Sequence, residues 1–189
     1  MTGMNKKELR RRLRALHQGA TERDRQSAML CRHILESGIY RSARVIGGYM
    51  PMPREADITP ILLDALQRGK TLALPLCGDA PHMSLRRVSS LEELTTGTFG
   101  ILEPRDDAPV VPVDEVELLL IPLEGIDAQG FRLGKGGGYY DCLLQGCGIP
   151  TMGCALQWQW TAHVPREAWD VPLSACADCC GIHEFKNDQ

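Results

Sequence analysis

Apolar residues recur at three- and four-residue intervals near the N-terminus and in unbroken runs further along, and the two habits predict different elements. Leu9, Leu13 and Leu16 follow the capping-box pair Asn5 and Glu8, which predicts a helix ended by Gly19. A second helix is expected to start at Thr21 and Asp24. Its apolar face takes in Ala28, Cys31 and Leu35, and Gly38 stops it. Residues 44–50 (RVIGGYM) read as a buried strand broken by Pro51 and Pro53. Thr59 as N-cap, Pro60 in the first turn and Gly69 after the last turn frame a helix over 60–68.

Residues 71–76 and 83–88 read as further strands, and Ser90 with Glu93 caps a short helix. Residues 97–112 form a Pro- and Gly-rich connection, and 116–121 (VELLLI) is the clearest buried strand. A helix over 139–145, a strand over 151–155 and a last strand near 174–177 complete the chain. Strands alternating with helices predict an α/β fold: one three-layer domain over residues 1–189, with a mixed, mainly parallel sheet flanked by helices.

The 189-residue length suits a single core. Hydrophobic residues at 43% and charged residues at 24% exclude a disordered chain. A net charge of -3 gives no general attraction to nucleic acid or an anionic membrane. No run approaches the roughly 20 apolar residues of a membrane span, and the charged first residues do not make a secretory signal. The expectation is therefore a cytoplasmic monomer that engages neither nucleic acid nor membrane, with its eight cysteines as free thiols.

The chemistry concentrates in Gly130-Phe-Arg132-Leu133-Gly134-Lys135-Gly136-Gly137-Gly138-Tyr139-Tyr140-Asp141. Four glycines in five positions allow positive φ and let a ligand approach the main chain. Successive bare N–H groups leading into a helix make an anion cradle. Arg132 and Lys135 add charge suited to phosphate, and Asp141 is a hard oxygen ligand of the kind Mg²⁺ takes beside nucleotide phosphates. The spacing fits neither the P-loop nor the dinucleotide fingerprint, so on its own it defines a phosphate or carboxylate site.

RLGKGGGYYD closely resembles the R-L-G-x-G-x-G-[YF]-Y-D signature of the 5-formyltetrahydrofolate cyclo-ligase family. Lys6 and Arg10 resemble that family's basic N-terminal helix. Tyr49-Met50-Pro51 with Glu55 resembles its folate-lining loop, and Phe99-Gly-Ile-Leu-Glu103-Pro104 its F-G-I-x-E-P segment. Gln159, Val164-Pro165 and Trp169-Asp170-Val-Pro172-Leu resemble its C-terminal stretch. Cys142 stands where many members carry arginine, and Ile126 where they carry phenylalanine.

The resemblance implies the architecture shared with sugar-phosphate isomerases and CoA transferases. It also implies ATP-dependent closure of 5-formyltetrahydrofolate to 5,10-methenyltetrahydrofolate through a phosphorylated formyl group. On that reading Lys6, Arg10 and the run Arg132, Leu133, Gly134, Lys135, Gly136, Gly137, Gly138, Tyr139 and Tyr140 hold ATP. Lys135 and Arg132 act in catalysis, and Asp141 and Asp170 hold Mg²⁺. Met50, Glu55, Phe99, Lys135 and Tyr139 line the folate pocket.

Other readings attach to the same residues. Glu124, just after a predicted strand, could serve as a transferase nucleophile. Lys6, Lys7, Arg10, Arg11, Arg12 and Arg14 read alone as a solvated face or a nucleic-acid contact. Trp158, Trp160 and Trp169 read as packing residues. Cys176-x-x-Cys179-Cys180-x-x-His183 has a zinc-like spacing but lacks the second knuckle of a structural site.

Overall fold

The computed structural model describes residues 4–97 and 100–185. In chain order the helices are α1 (Lys6–Ala15), α2 (Ala20–Glu36), α3 (Gly38–Ser42), α4 (Thr59–Gln67) and α5 (Tyr139–Leu144). The strands are β1 (Val45–Gly47), β2 (Thr71–Cys77), β3 (Met83–Val88), β4 (Thr95–Thr96), β5 (Leu102–Glu103), β6 (Val110–Val111), β7 (Leu118–Pro122), β8 (Gly125–Ile126), β9 (Arg132–Leu133), β10 (Thr151–Cys154), β11 (Ala175–Asp178) and β12 (Gly181–Glu184).

Eight strands make one sheet in the order β12-β11-β10-β7-β1-β2-β3-β6. The neighbours from β11 through β2 run parallel, while β12, β3 and β6 pair antiparallel at the two sides. The expected mixed, mainly parallel α/β sheet is therefore present. Alternation along β7 explains how both faces are covered. Leu118 and Leu120 join Leu30, Ile34, Tyr40, Ile61 and Leu62 under α2, α3 and α4. Leu119 and Ile121 face the other way, with Leu144 of α5, Leu173 and Cys176. At the end of β1 the packing is tight. A Cβ on Gly47 would lie 2.4 Å from Leu119, and one on Gly48 2.6 Å from Leu62.

Several expected boundaries move, each for a local reason. The Asn5–Glu8 capping box forms as expected, but α1 closes at Ala15 and Leu16 lies beyond it, half exposed. Gly19 does not end α1. It sits at φ 87 as the N-cap of α2, so α2 opens before Thr21. The buried face of α2 is Gln26, Ser27, Leu30, Cys31 and Ile34, and Ala28 is exposed. Gly38 opens α3 instead of stopping α2, because the Ser37 side chain accepts from Tyr40 N.

Thr59 is the first residue of α4 rather than its cap; its N–H donates to Asp57 Oδ1 at 2.9 Å. The capped segment after Ser90 is a single 3₁₀ turn, Leu91–Glu93. Only Val45–Gly47 of 44–50 is strand, since the chain leaves the sheet after the glycine pair. Among the described residues no helix is long and apolar enough to cross a membrane.

Candidate active site

A cavity of about 680 Å³ opens at the C-terminal ends of β1, β2 and β7. In a parallel sheet this is where chain leaving neighbouring strands can splay apart and leave a crevice. The β1 exit supplies Tyr49, Met50, Met52 and Glu55. Pro75 and Cys77 come from β2, Pro122 and Leu123 from the end of β7, and Met83 from the antiparallel return β3. The β8–β9 hairpin brings in Arg132 and Leu133, followed by Gly134–Gly138 and the first residues of α5.

The hairpin is fixed from beneath. Asp127, fully buried, accepts from Gln129 N, Phe131 N and Val164 N at 3.0, 3.1 and 3.0 Å, and ion-pairs with Arg166 at 3.4 Å. Gln159 Nε2 donates to Leu123 O at 2.7 Å and holds the β7 exit.

The glycine segment has few internal partners. Among the described residues the main-chain N–H groups of Gly134, Lys135, Gly136, Gly137 and Gly138 donate to no protein acceptor. Gly136 at φ 110 and Gly138 at φ 72 adopt conformations that side-chained residues resist, which keeps this run of amides open. Crowding requires the other two glycines: a Cβ on Gly134 would sit 2.7 Å from the Arg132 guanidinium, and one on Gly137 2.6 Å from the Tyr139 ring. α5, at six residues, adds little dipole, so the amides themselves make the cradle.

Four cations border it. Arg132, with its side chain 4% exposed, donates from Nη2 to Asp141 Oδ1 at 2.9 Å and lies 5.3 Å from the Tyr140 ring centre. Its Nε is buried without a partner among the described residues. Burial and then the Glu55 carboxylate push the Tyr140 phenol well above its usual range, so it stays neutral. Arg10 Nε donates to Gly134 O at 2.7 Å, and burial followed by the charge of Arg14 lowers its pKa. Lys6 Nζ donates to Asp170 Oδ2 at 2.6 Å. That oxygen also accepts from Glu167 N at 2.7 Å. Lys135 Nζ pairs with Glu55 Oε1 at 2.6 Å and touches Met52 Sδ. Helical spacing explains α1: Leu9 and Leu13 pack on Leu133 and Val164, which turns Lys6 and Arg10 toward the cavity.

Every site residue expected from sequence lines this one cavity except Phe99, which lies outside the described residues. Reading the sequence missed Met52, Pro75, Cys77, Met83 and Leu123. The strand-end rule was a usable signal for Cys77 and Leu123. Met83 depends on the β2–β3 pairing, which no local motif announces. Trp169 is a correction: it is 61% exposed at the rim of the cavity, while Trp158 and Trp160 pack inside.

Glu124 accepts from Arg14 at 3.0 and 2.7 Å and does not line the cavity, so the structure gives the transferase reading no support. The basic run of α1 divides accordingly, with Lys7, Arg11 and Arg12 left exposed. Cys176 is buried in the core and His183 pairs with Asp178 at 3.1 Å; among the described residues no three His, Cys, Asp or Glu side chains converge as a metal site.

A mixed, mainly parallel α/β sheet with a cleft at its strand ends, basic and amide-rich on one wall and apolar with a buried carboxylate on the other, has the form of a small-molecule site suited to an anion. The model of the 5-formyltetrahydrofolate cyclo-ligase family matches residues 2–177. A mouse 5-formyltetrahydrofolate cyclo-ligase is 32% identical over 88% of this chain and 87% of its own, and one from Haemophilus influenzae is 31% identical over 88% and 90%. The NMR structure of Aquifex aeolicus 5,10-methenyltetrahydrofolate synthetase superposes with a TM-score of 0.86 at 30% identity, covering 98% of this chain and 95% of that one. The chain belongs to the 5-formyltetrahydrofolate cyclo-ligase family and is a ligase.

Proposed function

We propose that this cavity closes 5-formyltetrahydrofolate to 5,10-methenyltetrahydrofolate at the expense of ATP, releasing ADP and phosphate. The observation that carries the proposal is the row of five amides, Gly134–Gly138, that find no acceptor among the described residues, bordered by Lys6, Arg10, Arg132 and Lys135 and facing buried Glu55 across one cavity. The amides and cations suit a triphosphate, and Glu55 suits the paired N–H donors of a pterin.

The formyl oxygen is a poor leaving group until it is phosphorylated. The formyl oxygen attacks the γ-phosphorus and the bond from phosphorus to the bridging oxygen breaks, which frees ADP and leaves an iminium phosphate. N10 then attacks the formyl carbon and loses its proton, and the carbon–oxygen bond breaks to release phosphate. Such transfers ask the protein chiefly for position and charge neutralisation. Arg132 and Lys135 supply that at the γ-phosphoryl, while Lys6 and Arg10 hold the rest of the triphosphate. Met50 and Tyr139 wall the folate.

Asp141 and Asp170 fit Mg²⁺ only in company. Each has one oxygen committed to a cation, which leaves Asp141 Oδ2 and Asp170 Oδ1 without hydrogen bonds among the described residues. Two carboxylate oxygens plus nucleotide phosphates and water suit this ion, which would neutralise phosphate charge. The same reading takes the working form as a cytoplasmic monomer that binds neither nucleic acid nor membrane. Eight free thiols suit a reducing compartment.

The test is turnover: purified protein with ATP, MgCl₂ and 5-formyltetrahydrofolate, followed by absorbance of the methenyl product. Product should form, and omission of ATP should abolish it. Product formation without ATP, or none with it, contradicts the proposal.

A further inference from the structure

The four cations of the cavity are not equivalently employed. Arg132 pairs with Asp141, Arg10 with Gly134 O and Lys6 with Asp170, all on the phosphate wall. Lys135 alone among them reaches across to the opposite wall, 2.6 Å from Glu55 Oε1. The two ends of this bridge differ in freedom. Glu55 is 6% exposed, with Oε2 accepting from Met52 N at 2.8 Å. Lys135 is 40% exposed and sits between glycines, in the run 134–138 whose main-chain donors engage no acceptor among the described residues. Moving Lys135 is easy, whereas leaving Glu55 behind is not. A buried carboxylate that loses its cation keeps the cost of its desolvation without the compensating charge.

We infer that the Lys135–Glu55 ion pair couples the two halves of the cavity, so that a nucleoside triphosphate and a reduced folate each bind more tightly when the other is present. The inference rests on the cyclo-ligase reading of the site. Nucleotide alone draws Lys135 onto phosphate and strands Glu55 beside an arriving polyanion. Folate alone must compete with Lys135 for Glu55 Oε1. When both bind, Lys135 moves to phosphate as pterin N–H donors replace it on Glu55, and neither charge is left bare. The coupling is reciprocal by linkage, so each ligand raises the other's affinity by the same factor. One consequence is that the nucleotide is held tightly only when its acceptor is in place, which limits hydrolysis by water.

The experiment is calorimetric titration of the Mg²⁺ complex of a non-hydrolysable β,γ-imido ATP analogue, with and without saturating 5-formyltetrahydrofolate. The wild-type chain should bind the analogue at least about fivefold more tightly with folate present, the lower end of ordinary coupling strengths. Glu55→Gln keeps an acceptor for Met52 N–H but releases Lys135. It should bind the analogue alone more tightly than wild type, and added folate should no longer improve that affinity. Lys135→Gln, on the exposed side of the pair, should bind the analogue more weakly and should also show no coupling. It serves as the check if Glu55→Gln does not fold.

A wild-type factor near one, or coupling that survives in both variants, overturns the inference while leaving a turnover-competent cyclo-ligase standing. Failure of either ligand to bind the wild-type chain removes the coupling and the cyclo-ligase reading together.

Discussion

The glycine segment 132–141 and the C-terminal hairpin β11–β12 both drew attention by composition, one rich in glycine and the other in cysteine, and their internal accounting is opposite. In the hairpin, Asp178 accepts from Cys180 N and Gly181 N through Oδ1 and from Trp160 Nε1 through Oδ2, and Oδ2 lies 3.1 Å from His183 Nε2. Cys176 is buried in the core, and Cys180 Sγ takes a hydrogen bond from Gln157 Nε2. The polar groups of that hairpin are met within the fold, by the hairpin itself and by Gln157 and Trp160. Among the described residues the glycine segment leaves five amides unused and Arg132 Nε buried without a partner, all beside a cavity. Polar groups satisfied within the fold serve its stability, whereas those left open at a cleft are available to a ligand.

That contrast fails if substitutions in the two regions act alike. The steepest losses belong to the cavity. Lys135→Ala and Asp141→Ala should each lower kcat by about 100-fold or more, as removal of a charge stabiliser does elsewhere, in the methenyl-forming assay. Gly138→Ala comes next. A side chain at φ 72 costs about 1–2 kcal/mol, and its readout is a lower melting temperature together with roughly tenfold weaker nucleotide binding. In the hairpin, Asp178→Asn should cost about 1–3 kcal/mol in denaturant unfolding, because it disturbs a buried carboxylate that accepts three hydrogen bonds, with kcat unchanged. A fall in kcat for this variant in the fully folded protein would erase the distinction.

A separate effect is alkaline. Burial, then the charge of Asp57, pushes the Cys31 thiol from 9.0 to about 12, and burial followed by Glu103 does the same at Cys77. The folded pKa values are raised, so their contribution to stability is whole below pH 9. Between pH 9 and 12 it declines, because the unfolded chain ionises these thiols first. Unfolding midpoints across that window should drop, and the drop should shrink in Cys31→Ala.

What could be read in the amino-acid order was local or motif-bound. The capping box of α1, the buried run of β7 and the glycine segment each carry their meaning within about ten residues. Lys6, Arg10, Glu55 and Asp170 were within reach because a family resemblance tied them to that segment, and the structure gathers all four around one cavity. Long-range pairing was not legible. Nothing near Glu124 announces Arg14, and nothing near Lys135 announces Glu55, since each contact joins elements brought together only by the completed sheet. Trp169 misled for a related reason. Its composition is that of a core residue, but the turn closed by Glu167 N on Asp170 Oδ2, tethered by Lys6, holds it at the rim. Gly19 misled because the same residue type both closes helices and opens them.

Amide spectroscopy interrogates the proposed phosphate cradle itself. In a ¹⁵N-labelled chain titrated with the Mg²⁺ complex of the imido ATP analogue, the N–H signals of Gly134, Lys135, Gly136, Gly137 and Gly138 should move furthest and shift downfield as they gain phosphate acceptors. If those five signals hold still while others respond, the nucleotide sits elsewhere and the glycine segment is only a turn.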